Sequence, residues 1–583
     1  MSRSARVRLS SLVVAAAAVV AAAGLVPAAA SAAPSDSSPP PNAMATAPGH
    51  PASSARVTPP PEYAAAWDDP RTPEPPVAVP GTRRCTVRIV DHAFTNFDVF
   101  TQDFTPPAAC AGGWSKVVMR LQGSVAGRQF DRLGYLDIGG VRALTLSTPE
   151  PSPTGITWDV EKDVTDLVPL LRSPQQVSMF IGNVVDDTYT GVLDVTVDLD
   201  FYVTGRGAPK AQTADRVLPL ADQGRDGTDL TGRVTVPRNS TRLVAEVFAT
   251  GSGGGCEEFW DTSAPAGTGY SCADGLPYRE VDVSIDGQLA GVAAPYPVVY
   301  TGGWSNPFLW YTTPSPKAFD IPPLGYDLTP FLARLNDGRA HDVRVSVVGL
   351  PEGQSGWTLS PRFKVWRDAG SRVVTGTTAV APPADPRVDA TVTGEAGSGG
   401  SVALTGTRAF TAIGTLSTSA GVVTTSVQRS LENRSDHTWT AGEEDDVLKA
   451  SWLDRQTVST RTGGGAPVVE RVERRYTKDG TLGFHPHPGI DGAYDVTGDL
   501  TILWRESAES RRSGALVDSR LETSWYSGEA AWIYGGPREE RHATADTRSQ
   551  ARVVTRSADG TTSTYDRRLR SVNGVFVADT LRP

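Results

Sequence analysis

The sequence has few cysteines, no basic run, no long interior apolar run and little helical periodicity, and each shortage narrows what the chain can do. Its four cysteines, Cys85, Cys110, Cys256 and Cys272, lack the short CxxC-type spacing of a zinc site. No interior apolar run is long enough to span a bilayer. No Lys/Arg-rich run stands against a formal charge of −10, which argues against nucleic acid or an anionic membrane as a partner. There is no Gly-x-Ser-x-Gly elbow and no His-Glu-x-x-His, which argues against a peptidase. Only Asp163 to Leu171 and Leu328 to Leu335 read as a turn or two of helix.

The one apolar run is N-terminal. Arg3, Arg6 and Arg8 precede an apolar core from Leu12 to Ala23, and Ala30-Ser31-Ala32 offers a cleavage site. Residues 1–32 therefore read as a secretory signal peptide, with a retained anchor as the alternative. The mature protein is expected to be secreted, without a membrane anchor, and monomeric. In an exported protein four cysteines imply two disulfides. Of the three pairings, the sequential one is favoured, Cys85–Cys110 and Cys256–Cys272, because each pair then lies inside one candidate domain. Residues 33–82 are rich in Pro, Ala and Ser and read as an extended or disordered tether, with order starting near Arg83.

Beyond Arg83 the chain reads as strand. Leu193 to Phe201 alternates strictly, apolar at odd positions, and Val117, Met119 and Leu121 share a face. This defines a first unit over 83–206. After a short linker, a second unit over 215–370 places Val281, Val283 and Ile285 on one face and Val343, Val345 and Val347 on another. Asp286-Gly287 turns the chain. A long aromatic and proline-rich connection runs through Pro295, Tyr296, Trp304 and Trp310, more than a hairpin requires. From 375 to 583 the strands continue as an antiparallel meander or barrel, with Asp479-Gly480, Asp559-Gly560 and Asn573-Gly574 as hairpin signals. His485-Pro486-His487 is a weak metal candidate there. Trp452, Trp504, Trp525 and Trp532 read as core or rim. The class is all-β, with two sandwich-like units and a third β region.

The stretch from Gly251 to Tyr300 carries the chemistry. A glycine run leads into Cys256, Glu257, Glu258, Phe259 and Trp260. Adjacent acids beside an indole suit a sugar: carboxylates bond hydroxyls or move protons, and a flat ring covers the apolar face of a pyranose. The plain alternative is a solvated loop capped by a structural Trp. In the first unit, Phe130-Asp131-Arg132 puts an acid and a base before a strand-like run, for which a surface salt bridge is the plain reading.

Taken together, Glu257-Glu258-Phe259-Trp260, Tyr278-Arg279-Glu280-Val281, Pro295-Tyr296-Pro297-Val298, Thr301-Gly302-Gly303, Ala318-Phe319-Asp320 and Asp327-Leu328-Thr329-Pro330-Phe331 are similar to the peptide-N4-(N-acetyl-β-glucosaminyl)asparagine amidase A (PNGase A) family. Upstream, Gly127 to Arg132, Val160 to Asp163, Gly182-Asn183 and Tyr189 to Val192 resemble the same family. The resemblance covers about 85–370 closely and the last third weakly. It implies hydrolysis of the amide joining the innermost N-acetylglucosamine to asparagine in an N-glycoprotein or N-glycopeptide, leaving aspartate and needing no cofactor or metal. A more distant resemblance to the PNGase F enzymes implies two jelly-roll-like sandwiches side by side plus a C-terminal antiparallel β domain. It also implies roles: Phe130-Asp131-Arg132 and Gly255 to Phe259 match the motifs that hold its catalytic Asp and Glu, here Asp131 and Glu258. A third acid of that family falls where this chain reads Phe180-Ile181-Gly182-Asn183. Asn183, or Asp186 and Asp187 nearby, are the candidates for its role. Arg132, Glu257, Trp260, Asn183 and Trp304 are the expected substrate contacts. An endo-acting glycosidase and a catalytically silent glycan-binding protein are the competing functions.

Overall fold

In a computed structural model, the structure describes residues 66–251, 261–262, 264–272, 275–304, 306–350, 357–382, 384–395, 397–537 and 540–582. The fold is 60% strand and 5% helix, and the strand pairings among the described residues are antiparallel.

Eight strands form the first sandwich: β1 Arg84–Phe94, β2 Phe100–Phe104, β3 Trp114–Val125, β4 Leu133–Ile138, β5 Val141–Ser147, β6 Ile156–Asp163, β7 Gln175–Ile181 and β8 Leu193–Val203. Their order is β1-β8-β3-β6 in one sheet and β2-β7-β4-β5 in the other, the pairing of a jelly roll. The alternation from Leu193 to Phe201 works as period two demands, with the odd positions buried. Asp200 is buried as well, and it is satisfied by Arg120 at 2.9 Å, by Arg84 and by the Thr86 hydroxyl. Helix α1, Val168–Leu171, follows a single 3₁₀ turn, within the stretch where the sequence pattern predicts helix.

The second sandwich holds β9 Arg216–Pro219, β10 Ala221–Asp226, β11 Asp229–Val234, β12 Ser240–Gly251, β13 Glu280–Ile285, β14 Gln288–Ala293, β15 Leu324–Asp327, β16 His341–Val348 and β17 Trp357–Arg367. Its sheets run β10-β11-β16-β13-β14 and β15-β12-β17-β9, again a jelly roll with β10 added at an edge. Asp286 and Gly287 both take positive φ between β13 and β14, as a tight hairpin requires. The short helix α2, Leu332–Leu335, completes this unit.

The third region is one open sheet of eleven strands. They are β18 Thr375–Val380, β19 Arg387–Gly394, β20 Gly400–Thr418, β21 Gly421–Trp439, β22 Asp445–Thr462, β23 Val468–Pro486, β24 Tyr494–Arg512, β25 Ala515–Tyr534, β26 Ala543–Ser557, β27 Thr562–Val572 and β28 Val575–Arg582. β18 and β19 both flank β20, and the strands then run in sequence to β28, so the sheet is a meander and not a barrel. Asp559-Gly560 and Asn573-Gly574 are turns. Asp479-Gly480 is not: it lies inside β23, paired to β22 and β24. The glycine serves a different need. A Cβ at Gly480 would overlap the Trp304 indole, which packs flat on that strand. His485 and His487 bond different acids, Asp445 and Asp495. No cluster of metal-ligating side chains occurs among the described residues.

One face of this sheet is docked on the second sandwich along its width. Tyr270 bonds Asp446 at 2.5 Å, Arg408 reaches Glu280, and Ala294 N–H meets Asp454. Farther along, Tyr526 donates to the Leu309 carbonyl at 2.7 Å and Thr312 to Ser571 at 2.7 Å. The long connection 294–323 is thereby buried on all sides, although it is nearly free of regular structure. Many of its described backbone groups are bonded, some in turns of its own, such as Gly303 N–H to Tyr300, and others to neighbours, such as Ile321 N–H to Thr145.

The expected loose tether is a strap from residue 66 onward. Trp67 stacks on Tyr311 with centroids 4.0 Å apart, and Asp68 N–H donates to the Gly574 carbonyl in the β27–β28 turn while its carboxylate accepts from Phe576 N–H on β28. Asp69 accepts from Thr157 in the first sandwich, Tyr565 donates to the Pro73 carbonyl, and Val77 N–H reaches Glu161. Prolines fix this segment extended, and its polar groups find partners in all three units. A chain beginning at Gly81 should melt several degrees below one beginning at Ala66. Equal melting temperatures by calorimetry would contradict the strap.

Candidate functional site

The first two sandwiches meet along β5. The Ser147 N–H donates to the Ala318 carbonyl at 2.8 Å and Ile321 N–H to Thr145 at 2.9 Å, so the second unit extends the edge of the first. Ion pairs flank this seam. Arg362 binds Glu246 at 2.7 Å and Asp166 at 2.9 Å, and also donates to the Arg142 carbonyl. Lys162 pairs with Asp320. Phe319 leaves its own unit to pack in the core of the first sandwich. This register brings Thr301 and Gly302 against the loops at one end of the first sandwich.

Those loops carry Asp131. The β3–β4 loop is pinned by Gln129, whose amide donates to the Val184 and Gly191 carbonyls and whose oxygen accepts from Phe130 N–H and the Arg132 guanidinium. Arg132 exchanges bonds with Thr148 on the β5–β6 loop, each at 2.9 Å. Asp131, at the tip, accepts from the Ser147 hydroxyl at 3.2 Å and from the Gly302 N–H. Ser147 is in turn 3.2 Å from the Thr301 hydroxyl.

Loss of surrounding water pushes the Asp131 pKa up to about 6, while Arg132, Ser147 and the Gly302 N–H pull it back. Burial also draws Arg132 down, against the opposing pull of Asp131, Glu150 and Tyr189.

Glu150 belongs to none of the sequence motifs. It sits between Pro149 and Pro151 in the β5–β6 loop and is 8% exposed. A Cβ at Gly302 would overlap Asp131 Oδ1 and stand 2.9 Å from Glu150 Oε1, so both carboxylates face the same stretch of backbone. Glycine is needed at 302 for this close approach. The legible signal was an acid between prolines at the end of the wholly buried strand β5.

The other expected residues fall differently. Asn183 is fully buried: its amide donates to the Phe94 and Gly191 carbonyls, and its oxygen accepts from Val184 N–H and, at 3.4 Å, from Arg132. Its amide and its oxygen are both bonded within the protein, and the oxygen faces the arginine. Asp186 folds back on Thr188 and Tyr189 N–H groups at the surface, which holds its carboxyl below the usual range, and Asp187 is exposed. Trp304 is 1% exposed, with its ring on Gly480 and near the Lys478 ammonium, so the expected sugar platform is a packing anchor. Beside Asp131 the exposed ring is Phe130, 5.5 Å from Tyr189.

Cys256, Glu257, Glu258 and Trp260 lie outside the described residues. The chain leaves β12 at Gly251, whose carbonyl accepts at 2.6 Å from the hydroxyl of Tyr300, a near neighbour of Gly302 in the chain. It is described again at Asp261, which is buried, its carboxyl pushed up to about 7 by burial against the pull of Lys478 and Arg279. Cys85 and Cys110 are bonded as expected, and Cys272 is in a disulfide.

A family model described as peptide N-acetyl-beta-D-glucosaminyl asparaginase amidase A matches residues 73–381. The peptide-N4-(N-acetyl-beta-glucosaminyl)asparagine amidase A of Prunus dulcis is 32% identical over 337 residues, which cover 52% of this chain and 57% of that protein. The chain thus spans little more than half the length of that relative. Among solved structures, PNGase F, a glycosylasparaginase from Flavobacterium meningosepticum, is 14% identical with a TM-score of 0.32, over 49% of this chain and 96% of its own. PNGF-II is 15% identical with a TM-score of 0.33, over 49% of this chain and 66% of its own.

The close approach at Gly302 and the desolvation of half-buried Asp131 each predict a measurable outcome. Gly302→Ala should cost about 1–3 kcal/mol by urea unfolding, the range of overpacking. Gly303→Ala, whose Cβ would meet Val299 at 3.2 Å, should cost less. The Asp131 carboxyl titrates higher folded than unfolded, so its contribution to stability is present at low pH and lost as pH rises through about 6. Asp131→Asn should therefore gain stability relative to the wild type between about pH 4 and 7. A relative loss over that window would contradict the assigned environment.

Proposed function

The chain belongs to the peptide N-acetyl-beta-D-glucosaminyl asparaginase amidase A family, and from that membership we propose that it is a secreted glycoamidase. Its substrate is an N-glycoprotein or N-glycopeptide. It cleaves the amide between the innermost N-acetylglucosamine and asparagine, releases the glycan as a glycosylamine and leaves aspartate. The observation that carries the reading is Asp131: a carboxyl held at about 6 by burial, at a seam between two sandwiches, with a guanidinium beside it.

Such a carboxylate suits the work. An unactivated amide needs an activated water, stabilisation of the oxyanion and a proton for the leaving nitrogen. In this mechanism Asp131 takes a proton from water as the water oxygen bonds to the side-chain carbonyl carbon. Ser147 and the Gly302 N–H hold Asp131 in place for that transfer. Arg132, fixed by Gln129 and Asn183, stands where it can face the oxyanion. Glu258 donates a proton to the amide nitrogen as the C–N bond breaks, which leaves Asp131 protonated and Glu258 ionised, and transfer of one proton from Asp131 to Glu258 restores the starting state. The role of Glu258 rests on the motif resemblance.

Export is part of the same proposal. It is supported by the N-terminal run of arginines and apolar residues and by the Cys85–Cys110 disulfide. Among the described residues no helix is long and apolar enough to cross a membrane.

Asp131→Asn and Glu258→Gln should each lower release of glycan from a defined N-glycopeptide by at least about 10²-fold, the lower range for a catalytic acid or base. Circular dichroism should remain that of the wild type. A peptide product still carrying one N-acetylglucosamine would mean a glycosidase. Full activity in both variants would remove the assignment.

A further inference from the structure

A second acid is buried beside Asp131, and nothing in the motif resemblance calls for it. Glu150 is 8% exposed on a loop whose backbone is fixed by Pro149 and Pro151. Its Oε1 and Asp131 Oδ1 both crowd the position a Gly302 side chain would take. The two carboxyls are therefore separated by no more than the width of a missing methyl and its contacts. Arg132 feels both charges, with Asp131 the larger influence after burial.

Burying an acid next to an acid opposes folding when both are ionised. Burial weakens the charged state of Arg132, the guanidinium that feels both acids. Among the described residues, Arg132 on its own loop acts directly on Asp131, while Glu150 on the β5–β6 loop, which approaches the same Gly302 position, and Tyr189 on the β7–β8 connection both act on Arg132. Ser147, Thr301 and Gly302 present only hydroxyl and backbone groups. Glu258, expected to join them, lies outside the described residues. The economical state for two such carboxyls is to hold one proton between them.

We propose that Glu150 and Asp131 form a proton-sharing carboxyl pair, in which Glu150 is the positioning partner that makes Asp131 a stronger base toward the attacking water. The proposal rests on the glycoamidase reading for its consequence, though not for the pair itself. Glu150 does not touch the reacting amide. It acts through Asp131: once the shared proton has left, the Glu150 charge nearby raises the affinity of Asp131 for the next proton, the one taken from water, and brings its titration closer to the working pH. The pair also accounts for a departure in this chain. Where the PNGase F motif leads one to expect an acid, Asn183 is a buried amide bonded to Phe94, Gly191, Val184 and Arg132. The additional carboxyl enters from a different loop.

The test is the variant set Glu150→Gln, Glu150→Asp and Asp131→Asn in the full chain. The acidic limb of the kcat/KM profile should move to lower pH by about one unit in Glu150→Gln, a tenfold change in proton affinity. It should return toward the wild-type position in Glu150→Asp, which restores the charge. A melting temperature that falls in Glu150→Gln while the limb stays put would mean a structural residue only, and would overturn the proposal. An activity-free arm separates this from the reaction. Infrared titration of the carboxyl C=O band that Asp131→Asn removes should show the same downward shift in Glu150→Gln. If the wild type releases no glycan, the glycoamidase reading fails while this titration still decides the pair. An unshifted band would end the proposal even in an active enzyme.

Discussion

The buried connection 294–323 is the constraint on which the rest of the molecule depends. A segment of that length with almost no regular structure cannot be buried unless every neighbour supplies partners for its backbone. Here the neighbours are β5 of the first sandwich, the core of the second and the face of the eleven-stranded sheet. The Ser147–Ala318 and Thr145–Ile321 bonds fix one side, and Trp304 on Gly480 and Tyr526 on Leu309 fix the other. Thr301 and Gly302 then have one position available, against Asp131. The C-terminal sheet is therefore a brace for the element that confines the candidate acid, and the strap from Trp67 to Val77 ties that brace back to both sandwiches.

The charges obey the same logic. At the seam, buried ions are paired: Arg362 and Lys364 hold Glu246 well below the ordinary carboxylate range, despite burial. At the site, burial wins over pairing, and Asp131 rises. The difference is geometric. Glu246 has two cations in direct contact, whereas Asp131 has one partly desolvated guanidinium beside it and a second acid close by. The structural carboxylate is kept ionised, and the candidate catalytic one is left poised to exchange a proton.

Much of this was legible in the chain. Period-two alternation located strands such as β8, β13 and β16, positive-φ hairpin pairs located turns, and ordered short motifs pointed to Asp131. What was not legible depends on contacts between distant segments. Gly480 looks like a turn until the Trp304 ring that needs its bare Cα is placed on it. Trp304 looks like a sugar platform until a sheet covers it. The prolines of residues 70–80 read as a loose tether because composition says nothing of the partners that hold an extended chain. Glu150 carries only a faint local mark, an acid between two prolines, and its meaning comes from a glycine far along the chain. The acids after Gly251 rest on motif alone.

The central claim is hydrolysis of the sugar–asparagine amide by water. Its most direct measurement is mass spectrometry of a defined N-glycopeptide treated in ¹⁸O-labelled water. Hydrolysis of that bond predicts a glycan-free peptide in which aspartate replaces asparagine and carries one ¹⁸O atom, with the label absent from glycan freshly released as glycosylamine. A peptide that keeps asparagine, whether it retains one sugar or the whole glycan, would contradict the claim.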